Sequence, residues 1–247
     1  MTERETAVAA ITDAGRGVKE RMRRAIEDIL ALVWDARSDK FAFADNEDID
    51  AEVNAILALM SDDLLADAEK RARNLLKALD LDEWDDESID YANDEIDGEN
   101  TLFRLDMQAS HLKELLESWI IVAAVHGLSK SETIRNLFTY IANPFASELW
   151  RSAGLQNPAW GRGYARNLVK AISRIKGDFI NRAYLWAKLQ QFAEEGAIGY
   201  TIHRGSTYDC PLCDSYLGKV YPLDQVILPI HANCCCYVEP AFHDFEL

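Results

Sequence analysis

Cys210-Pro211-Leu212-Cys213 and Pro229-Ile230-His231-Ala232-Asn233-Cys234-Cys235-Cys236 together hold all five cysteines of this 247-residue chain. A Cys-x-x-Cys pair followed about 20 residues later by His-x-x-Cys has the spacing of a tetrahedral zinc site, in which two close pairs from separate segments close one tetrahedron. Cys210, Cys213 and His231 are the first ligand candidates. The fourth is open between two residues. Cys234 completes His-x-x-Cys with His231, while strand alternation puts Cys236 on the same face as Cys234 and turns Cys235 away.

Working outward, Gly196 and Gly199 end a helical pattern and the period changes to two. Tyr200–His203, Tyr216–Tyr221 and Cys234–Val238 read as strands, with a turn at Gly205–Ser206. A tail of about 45 residues buries too little apolar area to fold without a staple, and a structural zinc supplies one. Other uses of Cys-x-x-Cys fit poorly. A redox pair belongs at a helix start in a βαβ unit. Haem attachment wants His where Asp214 stands, and a zinc deaminase needs His-x-Glu where the chain has His203-Arg204-Gly205.

Upstream, apolar residues recur at helical spacing. Val18, Met22, Ile26, Ile29 and Val33 mark a helix from Ala7 to Trp34. Ile49, Val53, Ile56, Met60, Leu64, Ala68, Ala72, Leu75 and Leu79 mark a second, which Ser61-Asp62-Asp63 would cap internally if it is two helices. Asp80–Glu99 carries eleven acidic residues and no Lys or Arg, and reads as a solvated linker or an acidic arm for a basic partner. A helix over Leu102–His126 ends at Gly127. A capping box at Ser129 and Glu132 opens a short helix that Asn143-Pro144 stops. An aromatic, Gly- and Pro-bearing connection leads to a last helix over Tyr164–Glu195, with Arg162, Arg166, Lys170 and Arg174 along one face. That face reads as solvated, or as paired with the acidic stretch, a partner or DNA.

The expected fold is therefore mainly α with a small α+β C-terminal part: an elongated helical bundle, then a long helix and a zinc-pinned β-knuckle. Residues 1–160 form the bundle with its acidic linker near 80–99, and residues 161–247 the long helix and zinc-binding domain. The formal charge of −16 argues against generic nucleic-acid binding, no apolar stretch follows Met1–Glu5 to suggest a signal peptide, and the longest apolar run, Trp119–Val125, is far short of a membrane span. Clustered thiols without an export signal point to a reducing compartment. No phosphate loop, Gly-x-Ser-x-Gly or His-Glu-x-x-His is present, and His111, His126 and His243 are scattered, so no enzyme is expected.

Gly199 through Cys236 resembles the phage Mu F-like minor head protein family. The likeness rests on Asp209-Cys210-Pro211-Leu212-Cys213, Leu217-Gly218-Lys219-Val220-Tyr221-Pro222-Leu223 and Pro229-Ile230-His231-Ala232-Asn233-Cys234-Cys235-Cys236. The helix before it, with Arg174 and Asn181-Arg182-Ala183-Tyr184, is similar to the family's helix at that position. Ala232 stands where the family has Pro, and Cys235 where it has Arg. The resemblance implies a structural, portal-associated minor capsid protein of head morphogenesis, found in the virion and the host cytoplasm. Its partners would be the portal, other head components and DNA, with no membrane and no small-molecule substrate. The alternatives are a zinc-ribbon module binding nucleic acid or protein, and a toxin-like effector.

Overall fold

The chain enters its first helix through a capping box. In the computed structural model, which describes residues 2–94, 99–142, 167–205, 209–230, 234 and 236–242, Thr2 Oγ1 accepts from Glu5 N at 3.2 Å and Glu5 Oε2 accepts from Thr2 N at 2.8 Å. This satisfies two otherwise orphaned donors and opens α1 (Glu3–Thr12). The single helix expected over Ala7–Trp34 is two. A 3-10 turn at Asp13–Gly15 follows α1, Gly17 takes φ 80°, and α2 (Val18–Val33) starts afresh. The left-handed backbone at Gly17 calls for glycine, while the nearest atom to a Cβ there is the movable end of the Arg21 side chain.

The next segment does not divide. α3 (Glu47–Ala78) runs through Ser61-Asp62-Asp63, because Ser61 is buried and the stripe Val53, Leu57, Met60, Leu64, Ala68, Ala72, Leu75 continues on both sides of it. With no apolar gap, extending the existing ladder is favoured over nucleating a new helix. α3 closes in a Schellman motif at Asp80 (φ 56°), with Leu81 N donating to Leu76 O at 2.9 Å.

The acidic stretch is folded through Asp94 rather than a solvated linker. A 3-10 turn at Asp82–Trp84 leads into α4 (Asp85–Asn93), which buries Ile89 and Ala92. Cations from other elements offset its charge. Arg73 Nη1 lies 2.7 Å from Asp85 Oδ2 and 2.8 Å from Asp86 Oδ1. The buried Arg182 donates to Ala92 O and Asp94 O, each at 3.0 Å, at the carbonyl end of α4. Its guanidinium lies 4.8 Å from the Tyr91 ring centroid.

α5 (Thr101–His126) and α6 (Lys130–Ala142) follow as the periodicity indicates, and the expected box at Ser129 forms, with Ser129 N donating to Glu132 Oε2 at 2.9 Å. α7 (Leu168–Glu194) begins where Asn167 Oδ1 accepts from Lys170 N at 2.9 Å. Asn143-Pro144, the aromatic connection, Arg162, Tyr164 and Arg166 lie outside the described residues.

Two compact units form, each from separated segments: Met1–Ala14, Ala66–Thr101 and Arg174–Leu247 make the first, Gly15–Leu65 and Leu102–Ser173 the second. The expected boundary near residue 160 falls outside the described residues. In the second unit Met22, Ile26, Ile29, Val53, Leu57, Leu112, Leu116, Trp119 and Leu137 are buried, and Lys113 Nζ meets Asp50 Oδ1 at 2.6 Å.

The first unit carries the sheet. β1 (Gly199–His203) is central, flanked antiparallel by β2 (Val220–Tyr221) and β3 (Tyr237–Ala241). Tyr200 faces Tyr221 on one side and Pro240 on the other. The second strand is shorter than the Tyr216–Tyr221 expected, because Gly218 takes φ 73° and Tyr216 N still bonds Cys213 O in the preceding turn. The third starts at Tyr237 instead of Cys234. The chain is thus mainly α with a small antiparallel sheet near its C-terminus.

Candidate metal centre

The sheet does not stand alone. Tyr200 and Ile202 of β1 pack into one core with Leu185, Leu189 and Phe192 from the last turns of α7, and Cys213, Leu228 and Cys234 belong to the same cluster. Ala197 N donates to Phe192 O across Gly196 (φ 81°), which turns the chain from helix into β1. Part of the burial that a staple would otherwise replace therefore comes from α7.

Cys210 is the N-cap of α8 (Pro211–Asp214), a single turn with Pro at its first position, and Cys213 lies within it. Asp214 N donates to Cys210 O at 2.9 Å, and this turn brings the i and i+3 thiols to one side. Arg204 brackets the pair. Its Nη1 donates to Asp209 Oδ1 at 3.0 Å and its Nη2 to Asp214 Oδ1, so the acids on either side of the cysteine pair share one guanidinium. The returning segment is fixed by Tyr200, whose hydroxyl donates to Gln225 O at 2.6 Å and accepts from Ile227 N at 3.1 Å.

These elements bring Cys213, Cys234 and Cys236 together, with all three Sγ atoms within 4.8 Å of one another. Cys213 Sγ and Cys234 Sγ are 3.9 Å apart, and both residues are buried. Four thiolates at a zinc–sulfur distance of about 2.3 Å define a tetrahedron with an edge of about 3.8 Å. The separation matches that edge and is far beyond the roughly 2.05 Å of a disulfide; these cysteines are free. Cys234 and Cys236, the two candidates for the fourth position, both reach the cluster. Cys210 is half-buried and its thiol bonds that of Cys213. His231 and Cys235 lie outside the described residues.

Burial works against charge on these thiols. Burial first, then the neighbouring Cys210 and Cys236 thiols, push the Cys213 thiol well above its ordinary range. Burial likewise raises Cys234. A reactive thiolate needs the opposite shift. Among the described residues the cluster could hold a metal ion, with soft sulfur donors that suit zinc and its thiophilic relatives.

A further contact ties α1 to this region. Arg4 Nη2 donates to Gly205 O at 2.6 Å, and its guanidinium lies 4.3 Å from the centroid of the Tyr237 ring, which His203 also stacks on. Nothing in the local sequence signals this contact, because Arg4 and Gly205 are 201 residues apart. Among the described residues from Gly199 onward the Lys and Arg side chains are Arg204 and Lys219, and Lys219 Nζ donates to Ser215 O at 2.9 Å. Phosphate binding finds little there. No described helix is long and apolar enough to cross a membrane. No known protein family, curated protein or solved structure matches the chain.

Proposed function

We propose that this chain is a structural minor head protein of the phage Mu F-like kind, which docks on the portal during head assembly through a zinc-stapled C-terminal module. The observation that carries the reading is the convergence of Cys213, Cys234 and Cys236, from two ends of the motif set, on one buried point beside the end of α7. Zinc is the ion of choice. It takes sulfur donors without redox change and, with four protein ligands, leaves no open position for chemistry. Cys213, Cys234 and Cys236 would hold it, with Cys210 or His231 as the fourth donor. The metal's role is to fix the relative placement of α8 and the segment entering β3.

A docking adaptor needs a rigid tip and a body that places it. α7 supplies the connection, since its last turns pack directly on β1. The acidic α4 region offers exposed Asp82, Glu83, Glu87 and Asp90 to basic surfaces of head components, whereas DNA is disfavoured by the same charge. Co-expression of the full chain with the portal protein of the same phage tests the proposal. The expected result is co-elution of the two on size exclusion, lost when Cys213 and Cys234 are changed to Ser. A folded, metal-loaded protein that ignores the portal, together with normal heads in its absence, would overturn it.

A further inference from the structure

We propose that the first turn of α1 is a strap that reads the metal centre, docked on the C-terminal module when the thiol cluster is loaded and released when it is empty. The inference rests on the metal-site part of the reading above and goes beyond it by coupling that centre to the N-terminal helix.

α1 lies along α7 and is held at both ends. At its C-terminal end a Cβ on Gly177 would stand 3.4 Å from Ile11 O and 3.5 Å from Ile11 Cγ2, so the glycine lets the two helices approach closely. Asp13, just beyond, pairs with Arg71 at 3.1 Å. Within α1 the buried residue is Ala7. With so little apolar surface covered, the N-terminal end depends on polar contacts. Glu3 Oε1 accepts from the Tyr184 hydroxyl at 3.1 Å and lies 2.7 Å from Lys188 Nζ, both on α7. Arg4 reaches the module instead, with Nη2 donating to Gly205 O at 2.6 Å and its guanidinium 4.3 Å from the Tyr237 ring centroid.

Those two anchor points belong to the segments that deliver the thiols. Gly205 follows Arg204, whose bonds to Asp209 and Asp214 fix the turn bearing Cys213. Tyr237 follows Cys236, and His203–Tyr237 is the last registered pair of β1 and β3 at that end. Arg4 therefore bridges the β1–α8 connection and the start of β3. A metal held by Cys213 from one segment and by Cys234 and Cys236 from the other fixes the same relative placement. Two interactions that favour one arrangement of the same elements strengthen each other reciprocally. Loading tightens the strap, and the strap tightens metal binding. When the segments part, Arg4 cannot keep both anchors, and α1 opens from its N-terminal end while Ile11 and Asp13 hold the other.

The test uses the full chain under reducing conditions, zinc-loaded and after chelation. Hydrogen exchange of the Thr6–Thr12 amides should speed up by about tenfold on chelation, with α5 unchanged. Reciprocally, Arg4→Ala should weaken Zn2+ binding by about fivefold in competition with a chromophoric chelator, with far-UV circular dichroism unaltered. Glu3→Gln, which loosens the strap on α7 without touching the module, should weaken it in the same direction. Exchange in α1 that ignores chelation, or zinc affinity that ignores both variants, overturns the inference and leaves the metal site standing. Protein that takes up no zinc sinks both.

Discussion

Asp67→Ala is the substitution whose consequence is most sharply fixed by this structure. In the first unit Asp67 Oδ2 lies 2.5 Å from Lys176 Nζ, on a side chain with 0% exposure, and 2.7 Å from Arg71 Nε. Arg71 Nη1 also reaches Asp13 Oδ2 at 3.1 Å. Removing the carboxylate takes the anion from beside a wholly buried ammonium, and breaking such a pair from one side costs about 3–5 kcal/mol. Lys176→Met is not its mirror image. It leaves Asp67 bonded to Arg71 and replaces the buried cation with an apolar chain of similar length, which is worth about 1 kcal/mol or less in either direction. The double variant should then be more stable than Asp67→Ala alone, with a coupling of about 2–3 kcal/mol. Urea titrations read by far-UV circular dichroism and tryptophan emission give the midpoints, compared at equal slope. Equal losses in the two single variants, or simple additivity in the double, would refute the reasoning.

Three other outcomes follow from single contacts. Arg182→Met removes both bonds to the carbonyl end of α4 and the Tyr91 contact, and should cost about 2–3 kcal/mol while exposing residues 85–93 to hydrogen exchange ahead of the rest of the unit. Gly199→Ala places a Cβ 2.5 Å from Tyr221 O and 2.8 Å from Val220 Cγ1, so β2 must shift; a loss of about 1–3 kcal/mol and a changed tyrosine near-UV signal are expected. The hydrogen bond from Lys113 holds the Asp50 carboxyl below its ordinary range. A depressed folded-state value means stabilisation present above the unfolded value and lost as pH falls through the folded one, so Lys113→Met should flatten the acid limb of a stability–pH curve below about pH 4.

Much of the helical body is legible because its signals are local. The box at Ser129 and Glu132, the Gly127 stop and the stripe of α3 each involve residues within a few positions of one another. Three features were not legible, for physical reasons. The break at Gly15 and Gly17 lies just before Val18, the first residue of the stripe that marks the helix, so the stripe itself carries no sign of it. The folding of α4 depends on Arg73 and Arg182, so the sequence displays the self-repulsion of residues 80–99 and hides the counter-charges. The start of β3 at Tyr237 is decided by pairing with β1, which a short apolar run does not encode.

At the site, the Cys-x-x-Cys spacing located the centre, and strand alternation correctly set Cys234 and Cys236 on a common side, although neither lies in the strand that was expected to align them. The supports Arg204, Tyr200 and Arg4 carry no motif. Their roles arise from contacts with Asp209 and Asp214, with Gln225 and Ile227, and with Gly205 and Tyr237, which only the folded chain brings into reach.

The most direct measurement is the metal content of the full chain purified under reducing conditions, with hydrogen exchange of β1–β3 followed before and after chelation. The account predicts about one zinc per chain and loss of protection around Cys213 and Tyr237 when it is removed, while α2 and α5 stay protected. A metal-free protein whose sheet is already protected, and which gains nothing from added Zn2+, would contradict it.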